Sequence, residues 1–307
     1  MIYTFTLNPA VDYFLTISGE LMVDEVNRGT DEIYKAGGKG LNVSKILSVL
    51  GIPSNAVAIL GGFTGDFIRE QFSSSQYTRI IPVPVCGTNR INLKAHHDNK
   101  ALCINGQGPT ADSNTVDAIR RIVSSMTGDD TAVISGSMML GLDSEFLLDL
   151  SDRIHRAGAK LVIDMEKVTP ELIGRCRPYL IKPNLYELQL LMDDPGITME
   201  TAAEPLEKLR QLGVENILLS LGKDGALLAD EQGLLKLDHP STPLVNKVGA
   251  GDSMLGAFIG KLTAGSTREE ALRYGGAAGN AAASTMEDVT LDIIERFLPL
   301  MSTRIWK

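Results

Sequence analysis

Residues 249–252 set two glycines and an alanine directly ahead of an acid, Gly249-Ala250-Gly251-Asp252. Glycines lack a Cβ, so the backbone there can turn tightly and approach a ligand closely. Behind the acid, Met254, Leu255, Phe258, Ile259 and Leu262 fall three and four apart, which predicts one face of a helix. A glycine-rich turn feeding a helix offers unpaired N–H groups and a partial positive charge to an anion such as phosphate. Asp252 is ill-suited to a ground-state phosphate, which its charge repels. It suits a base that takes the proton of a hydroxyl attacking phosphorus. A simpler arrangement uses the same residues, with Asp252 as an N-cap and the glycines as loop punctuation. The rest of the chain must choose.

The chain has 307 residues, 44% of them hydrophobic, enough for one large α/β domain or two smaller ones. A net charge of −9 gives no basic footprint for nucleic acid or an anionic membrane. No apolar run approaches the roughly 20 residues that span a bilayer, and Met1 to Asn8 lacks the pattern of a signal peptide. Cys86, Cys103 and Cys176 are scattered and odd in number, which reads as ordinary thiols of a reducing cytoplasm. His96-His97 reads as a loop or strand end rather than a metal site.

The elements that must position such a site follow from periodicity. Residues 2–7 read as a strand, and 13–35 as a small antiparallel sheet. Gly37-Gly38-Lys39-Gly40 opens a helix with apolar positions at Leu41, Val43, Ile46, Leu47 and Leu50. A strand at 55–60, a turn at Gly61-Gly62 and a helix after Thr64 come next. Residues 80–105 read as short strands with hairpin turns, one at 97–100. From Gly106 onward strands and helices alternate. Strands are expected at 131–135, 160–164, 179–183 and 216–221, and helices at 114–126, 143–157, 185–192 and 201–212. A hairpin is expected at 226–237, with helices at 268–285 and 290–300 closing the chain. Continuous apolar strands such as Asn216-Ile217-Leu218-Leu219 mark a parallel sheet covered on both faces. The two β-excursions, near 13–35 and 85–105, are expected to pair as one small sheet beside it.

Ligands of open α/β sheets bind outside the carboxyl ends of the strands. Asn8 to Asp12, Ser135-Gly136-Ser137, Lys182-Pro183-Asn184 and Ser220 to Gly225 all lie at such ends. Each has a structural explanation too. Asn184 with Glu187 is a capping box. Ser220 to Gly225 suits a turn into a hairpin with Gly225 left-handed, and Gly37 to Gly40 suits a tightly packed helix start. No Walker loop and no strand-linked G-x-G-x-x-G is present.

Five stretches, in order, resemble the ribokinase-like carbohydrate kinases and their phosphofructokinase-B branch. They are Thr6-Leu7-Asn8-Pro9-Ala10-Val11-Asp12, Ala36-Gly37-Gly38-Lys39-Gly40-Leu41-Asn42, Lys182-Pro183-Asn184-Leu185-Tyr186-Glu187, Ser220-Leu221-Gly222-Lys223-Asp224-Gly225 and Val248-Gly249-Ala250-Gly251-Asp252. Together they cover nearly the whole chain. Arg90-Ile91-Asn92-Leu93-Lys94 resembles the 1-phosphofructokinase subgroup, with the tagatose-6-phosphate kinases close by.

The resemblance implies a single α/β domain over 1–307. It would be a three-layer sandwich with a mostly parallel central sheet between helices, plus a small β-sheet lid from about 12–35 and 86–105. It implies ATP- and Mg2+-dependent transfer to a sugar phosphate, with fructose 1-phosphate becoming fructose 1,6-bisphosphate. Asp252 would be the base, with Gly249, Ala250 and Gly251 contributing an anion hole of backbone amides. Asp12, Gly38, Lys39, Asn42 and Ser137 would hold the sugar, and Arg90 with Asn92 the phosphate it already carries. Lys182, Asn184, Glu187, Ser220, Leu221, Gly222, Lys223, Asp224, Gly225, Gly251 and Asn280 would serve the nucleotide, with Glu187 acting indirectly on the metal. A cytoplasmic homodimer joined through the lid is also implied. Two departures, Met138-Met139-Leu140 where the family usually has proline and Asn89 where it usually has threonine, would touch the sugar side. A catalytically idle sensor of the same ligands is the reading of a different class, and retention of Asp252 argues against it.

Overall fold

The computed structural model describes residues 1–18, 22, 24–97, 100–240, 245 and 248–306. The chain begins β1 (Ile2–Thr6), β2 (Ala10–Ile17), β3 (Gly29–Gly37), α1 (Lys39–Val49), β4 (Ser54–Leu60) and α2 (Gly62–Glu70). It continues β5 (Thr78–Pro84), β6 (Arg90–His97), β7 (Lys100–Asn105), α3 (Ser113–Ser124), β8 (Thr131–Gly136), α4 (Ser144–Arg156), β9 (Lys160–Met165) and α5 (Pro170–Cys176). Then come β10 (Leu180–Ile181), α6 (Leu185–Met192), α7 (Ala203–Gln211), β11 (Asn216–Ser220), β12 (Ala226–Asp230) and β13 (Gly233–Asp238). It ends α8 (Ala250–Thr263), α9 (Arg268–Ala283), α10 (Leu291–Phe297) and β14 (Ser302–Ile305).

Among the described residues, ten strands form one sheet in the order β14-β13-β12-β11-β10-β9-β8-β1-β4-β5. From β11 to β5 every pairing is parallel, and β12, β13 and β14 add antiparallel strands at the other edge. One apolar cluster, around Phe5, Ile134, Leu147 and Leu219, covers one face of the sheet. A second, around Val43, Leu218, Leu255 and Phe258, covers the other. The expected sandwich is thus present. The chain leaves β1 toward β4 and β5, then returns to β8 on the other flank. Strand order reverses there, where a crevice opens at the carboxyl ends.

Four strands, β3-β2-β6-β7, make a second, smaller sheet. The two β-excursions do pair in space, with one correction. Strand β2 pairs antiparallel with β3 but parallel with β6, with Asp12 opposite Asn92, so the small sheet is mixed. Strand β2 begins at Ala10, which puts Asp12 in this sheet rather than in a loop after β1. A second correction concerns Ile80 to Pro84. This segment lies in β5, which pairs parallel with β4 as the edge of the main sheet, where a strand with hairpin turns was expected. Pro82 and Pro84 mark it physically, since proline has no N–H for a further neighbour and is tolerated on an edge. Helix α5 and strand β14 were not expected. The turn read at Asp98-Asn99 and the position of Lys247 lie outside the described residues.

Helix α8 was expected to bury one face, but it is buried on nearly all sides between α1, α9 and the sheet. Two glycines allow this. A Cβ on Gly256 would stand 2.9 Å from the Val43 carbonyl, and one on Gly260 2.7 Å from Ile52 Cδ1 and 2.8 Å from Leu47 Cδ2, so α8 packs on the backbone of α1 at the first and under side chains at the second.

Candidate active site

The N-terminus of α8 opens into a cavity of about 560 Å3. Gly249 is the N-cap, in the left-handed region at φ 82°. The first helical hydrogen bond to reach it runs from Ser253 N to Gly249 O at 2.8 Å. The amides of Ala250, Gly251 and Asp252 precede that bond, so they have no partner within the helix. Asp252 is therefore the third helical residue and not the cap. It is buried at 6% exposure, and its Oδ2 accepts from Asn42 Nδ2 at 2.8 Å. Burial, and then the charge of Asp164, raise its pKa to about 6, while the Asn42 bond, Lys182 and Lys39 pull the other way.

Asn42 is carried by α1, whose start is shaped by glycine. Gly38 has φ 134°, and a Cβ there would lie 2.5 Å from Thr6 Cγ2. Close packing and a place on the cavity wall are thus both true of Gly38 and Lys39. Lys39 Nζ lies 3.4 Å from Asp164 Oδ1, and Lys182 Nζ lies 3.5 Å from the same oxygen. Burial alone would lower the Lys39 pKa. Asp164, then Asp252, Glu187 and Glu166, outweigh it and hold the ammonium above its ordinary value. Lys182 also overhangs the helix start, since a Cβ on Gly251 would come 3.0 Å from its Nζ. Asp164, Asp252, Lys39 and Lys182 thus meet around amides that have no partner within the helix.

Asp164 was missed by the sequence reading. It is the last residue but one of β9, at the carboxyl end of the strand, but no motif surrounds it. Its Oδ2 is buried with no hydrogen-bond partner among the described residues. Glu187 lies beside it in an adjoining pocket. Among the described residues no cluster of three or more His, Cys, Asp or Glu is set to hold a metal. Two carboxylates instead fit a magnesium ion held mainly by phosphate oxygens and water, which is how that ion usually binds.

The nucleotide-side residues divide. Lys182, Asn184, Glu187 and Ser220 line the cavity. Asn184 and Glu187 do form the capping box of α6, with bonds of 2.9 and 2.8 Å. Leu221, Gly222, Lys223, Asp224 and Gly225 form a tight turn beyond it, Gly225 at φ 86°. Asn280 is buried within α9, where it donates to the Gly276 carbonyl at 2.9 Å, and is not among the described residues that line the cavity.

At the opposite end stands the small sheet. Arg90, Asn92 and Lys94 occupy alternate positions of β6 and all face the cavity. Asn92 Nδ2 donates to Asp12 Oδ1 at 2.9 Å, and Lys94 Nζ meets Asp12 Oδ2 at 2.9 Å. Arg90 reaches the Asn8 carbonyl at 3.1 Å and Ser137 Oγ at 3.5 Å. Its Nε is buried without a partner, and no described carboxylate makes an ion pair with it. Burial lowers the Arg90 pKa against the pull of Asp12 and Glu166.

Neither departure puts a residue on the cavity wall, but the Met138 carbonyl accepts from Nδ2 of Asn8, which lines it, at 3.4 Å. Asn89 is buried under the Gly61 turn, accepting from Gly61 N and donating to the Ile59 carbonyl, both at 2.8 Å. Met139 is packed in the core at 1% exposure.

The described sequence matches the model of the pfkB family carbohydrate kinases over residues 6–292. It is 34% identical over 284 residues to a 1-phosphofructokinase of Borreliella burgdorferi, covering 92% of each chain. It is 36% identical over 286 residues to a D-tagatose-1-phosphate kinase of Bacillus licheniformis, again 92% of each. Among solved structures it is similar to phosphofructokinase-2 of Escherichia coli in complex with substrates and products. The TM-score there is 0.89 at 25% identity, over 97% of this chain and 98% of that one.

Proposed function

The chain belongs to the pfkB family of carbohydrate kinases, and on that footing we propose that it transfers the γ-phosphoryl of ATP to a ketose phosphate. The acceptor proposed is fructose 1-phosphate, giving fructose 1,6-bisphosphate. One observation carries this. The cavity has a buried carboxylate beside unpartnered amides at one end, and an arginine with no described carboxylate partner at the other. The first end suits a hydroxyl attacking phosphorus. The second suits a phosphate the acceptor already carries, because the guanidinium fork matches phosphate geometry.

Asp252, with a pKa near 6, is ionised at neutral pH and still basic enough to take the proton of the attacking hydroxyl. The amides of 250–252 face the transferring group, whose charge spreads over its oxygens in the transition state. Lys39 and Lys182 add positive charge at the same place, and Asp12 and Asn42 orient the sugar. Lys182, Asn184, Glu187 and Ser220 take the nucleotide's phosphate side, and the turn 221–225 its further part. Magnesium, held by Asp164 and Glu187, would neutralise phosphate charge when bound. The free thiols Cys86, Cys103 and Cys176 fit a reducing cytoplasm.

The relative from Bacillus licheniformis favours a second reading, with tagatose 1-phosphate as acceptor. Tagatose 6-phosphate remains as a third. A coupled ADP-release assay on fructose 1-phosphate, tagatose 1-phosphate, tagatose 6-phosphate and fructose 6-phosphate tests them together. The proposal expects the highest kcat/KM on fructose 1-phosphate. A higher value on another acceptor replaces the substrate, and no ADP release on any supports the sensor.

A further inference from the structure

Lys94 is a buried cation on the cavity wall, its side chain 10% exposed. Its register partner on β2 is Phe14, and Asp12 lies one inward position back, opposite Asn92. The Lys94 ammonium sits 4.9 Å from the centre of the Phe14 ring. From there it meets Asp12 Oδ2, while Asn92 takes Oδ1. Both carboxylate oxygens are thus held by donors from one strand, and each oxygen keeps acceptor capacity for a further hydroxyl.

The other cation of this face, Arg90, lies four residues away, about 13 Å along an extended strand. Arg90 lacks a described acid, and the charge of Lys94 is already met.

We propose that Lys94 is a positioning residue for the acceptor, fixing Asp12 so that its carboxylate meets the sugar hydroxyls while Arg90 takes the phosphate. This rests on the ketose-phosphate reading of the cavity. It divides the inward face of β6 into a phosphate-binding end and a hydroxyl-orienting end. A four-carbon stem laid on an aromatic ring is well suited to the second task, because fewer rotamers remain to be frozen when the sugar arrives.

The test uses the full chain as wild type, Lys94→Met, Lys94→Arg, Asp12→Asn and the double variant Asp12→Asn/Lys94→Met. Turnover by the wild type tests the proposed function. Calorimetric binding of fructose 1-phosphate, together with kcat/KM on fructose 1-phosphate and on free fructose, tests this inference. Lys94→Met is expected to weaken both acceptors by the same factor, about 10- to 100-fold. The KM for ATP should stay within about twofold, and Lys94→Arg should recover most of the loss. The double variant should be no worse than Asp12→Asn, because the two residues act as one unit. The double variant also removes both charges together, so it reports even where Lys94→Met fails to fold around an unpaired Asp12. Three results would overturn the proposal. One is a selective loss of preference for phosphorylated over free fructose, which makes Lys94 a phosphate ligand. Another is additivity of the two single losses. The third is unchanged acceptor binding with only a lowered melting temperature.

Discussion

Asn42 and Asp252 are 210 positions apart in the chain and joined by a 2.8 Å hydrogen bond in the fold. The bond exists because α1 and α8 meet at Gly256 and Gly260, which sets the height of one helix against the other. It places an amide donor on the carboxylate proposed as base. That donor stabilises the ionised form, against burial and Asp164.

Asp252→Asn should lower kcat by about 10²–10⁴-fold, the usual cost of losing a general base, with ATP binding kept. The same variant should be more stable than wild type above pH 6. A carboxyl whose pKa is raised in the fold binds its proton more tightly there than in the unfolded chain. Stability therefore falls as pH rises from about 4 to 6, and the charged residue costs the fold on the order of 1–3 kcal/mol above that window. Rapid-quench turnover and melting curves at pH 5 and pH 8 check both halves. A variant that turns over like wild type would remove Asp252 from the mechanism.

The rate should also report the base directly. kcat/KM should fall as pH drops through about 6, since the protonated carboxyl cannot accept the hydroxyl proton. Asn42→Ala removes a bond that lowers this pKa, so its acidic limb should move to higher pH. An unmoved limb in Asn42→Ala would mean that another group sets the profile.

Arg90→Ala should raise KM for fructose 1-phosphate by roughly 30- to 150-fold, the equivalent of a charge-assisted bond of about 2–3 kcal/mol. KM for ATP and the activity on free fructose should change little. The residue has no described acid partner, so a purely structural role as half of a strand ion pair is not what its surroundings show. Equal losses on phosphorylated and free sugar would count against phosphate binding.

The outer face of the small sheet carries Tyr34, Ile104, Ile91 and Leu102 at 49%, 54%, 43% and 41% exposure, with Tyr13 stacked on Tyr34 at 4.6 Å. A small free sheet is marginal unless a face is covered, and an apolar face of this kind suits a second copy of the chain. We therefore expect a homodimer joined through this sheet, which Ile104→Glu together with Tyr34→Lys should convert to monomer. Sedimentation velocity on both proteins decides it, and a wild type that sediments as a monomer would end the idea.

Local signals were readable in the chain and long-range ones were not. Gly249 to Asp252 and the pair Asn184 and Glu187 could be placed because a turn and a capping box are defined within a few residues. Asp164 could not, because its importance comes from Lys39 and Lys182, brought to it by the start of α1 and the residue after β10. Lys94 stood in a quoted motif without a role for the same reason, since only the pairing of β6 with β2 shows that it faces Asp12. The prolines of β5 were visible, yet they marked an edge whose parent sheet is a tertiary fact. The all-round burial of α8 arises from its neighbours, which a one-face periodicity does not reveal.

The parallel pairing of β2 with β6 has a consequence for the order of assembly. Ala10 lies opposite Arg90, so the pair cannot form until α1, β4, α2 and β5 have been made between them. Closing so long a loop is entropically costly, and the β2–β3 hairpin alone is marginal. During synthesis, Asp12 therefore waits for Asn92 and Lys94 to leave the ribosome. Residue 252, the proposed base, leaves the ribosome later still, after every strand of the small sheet.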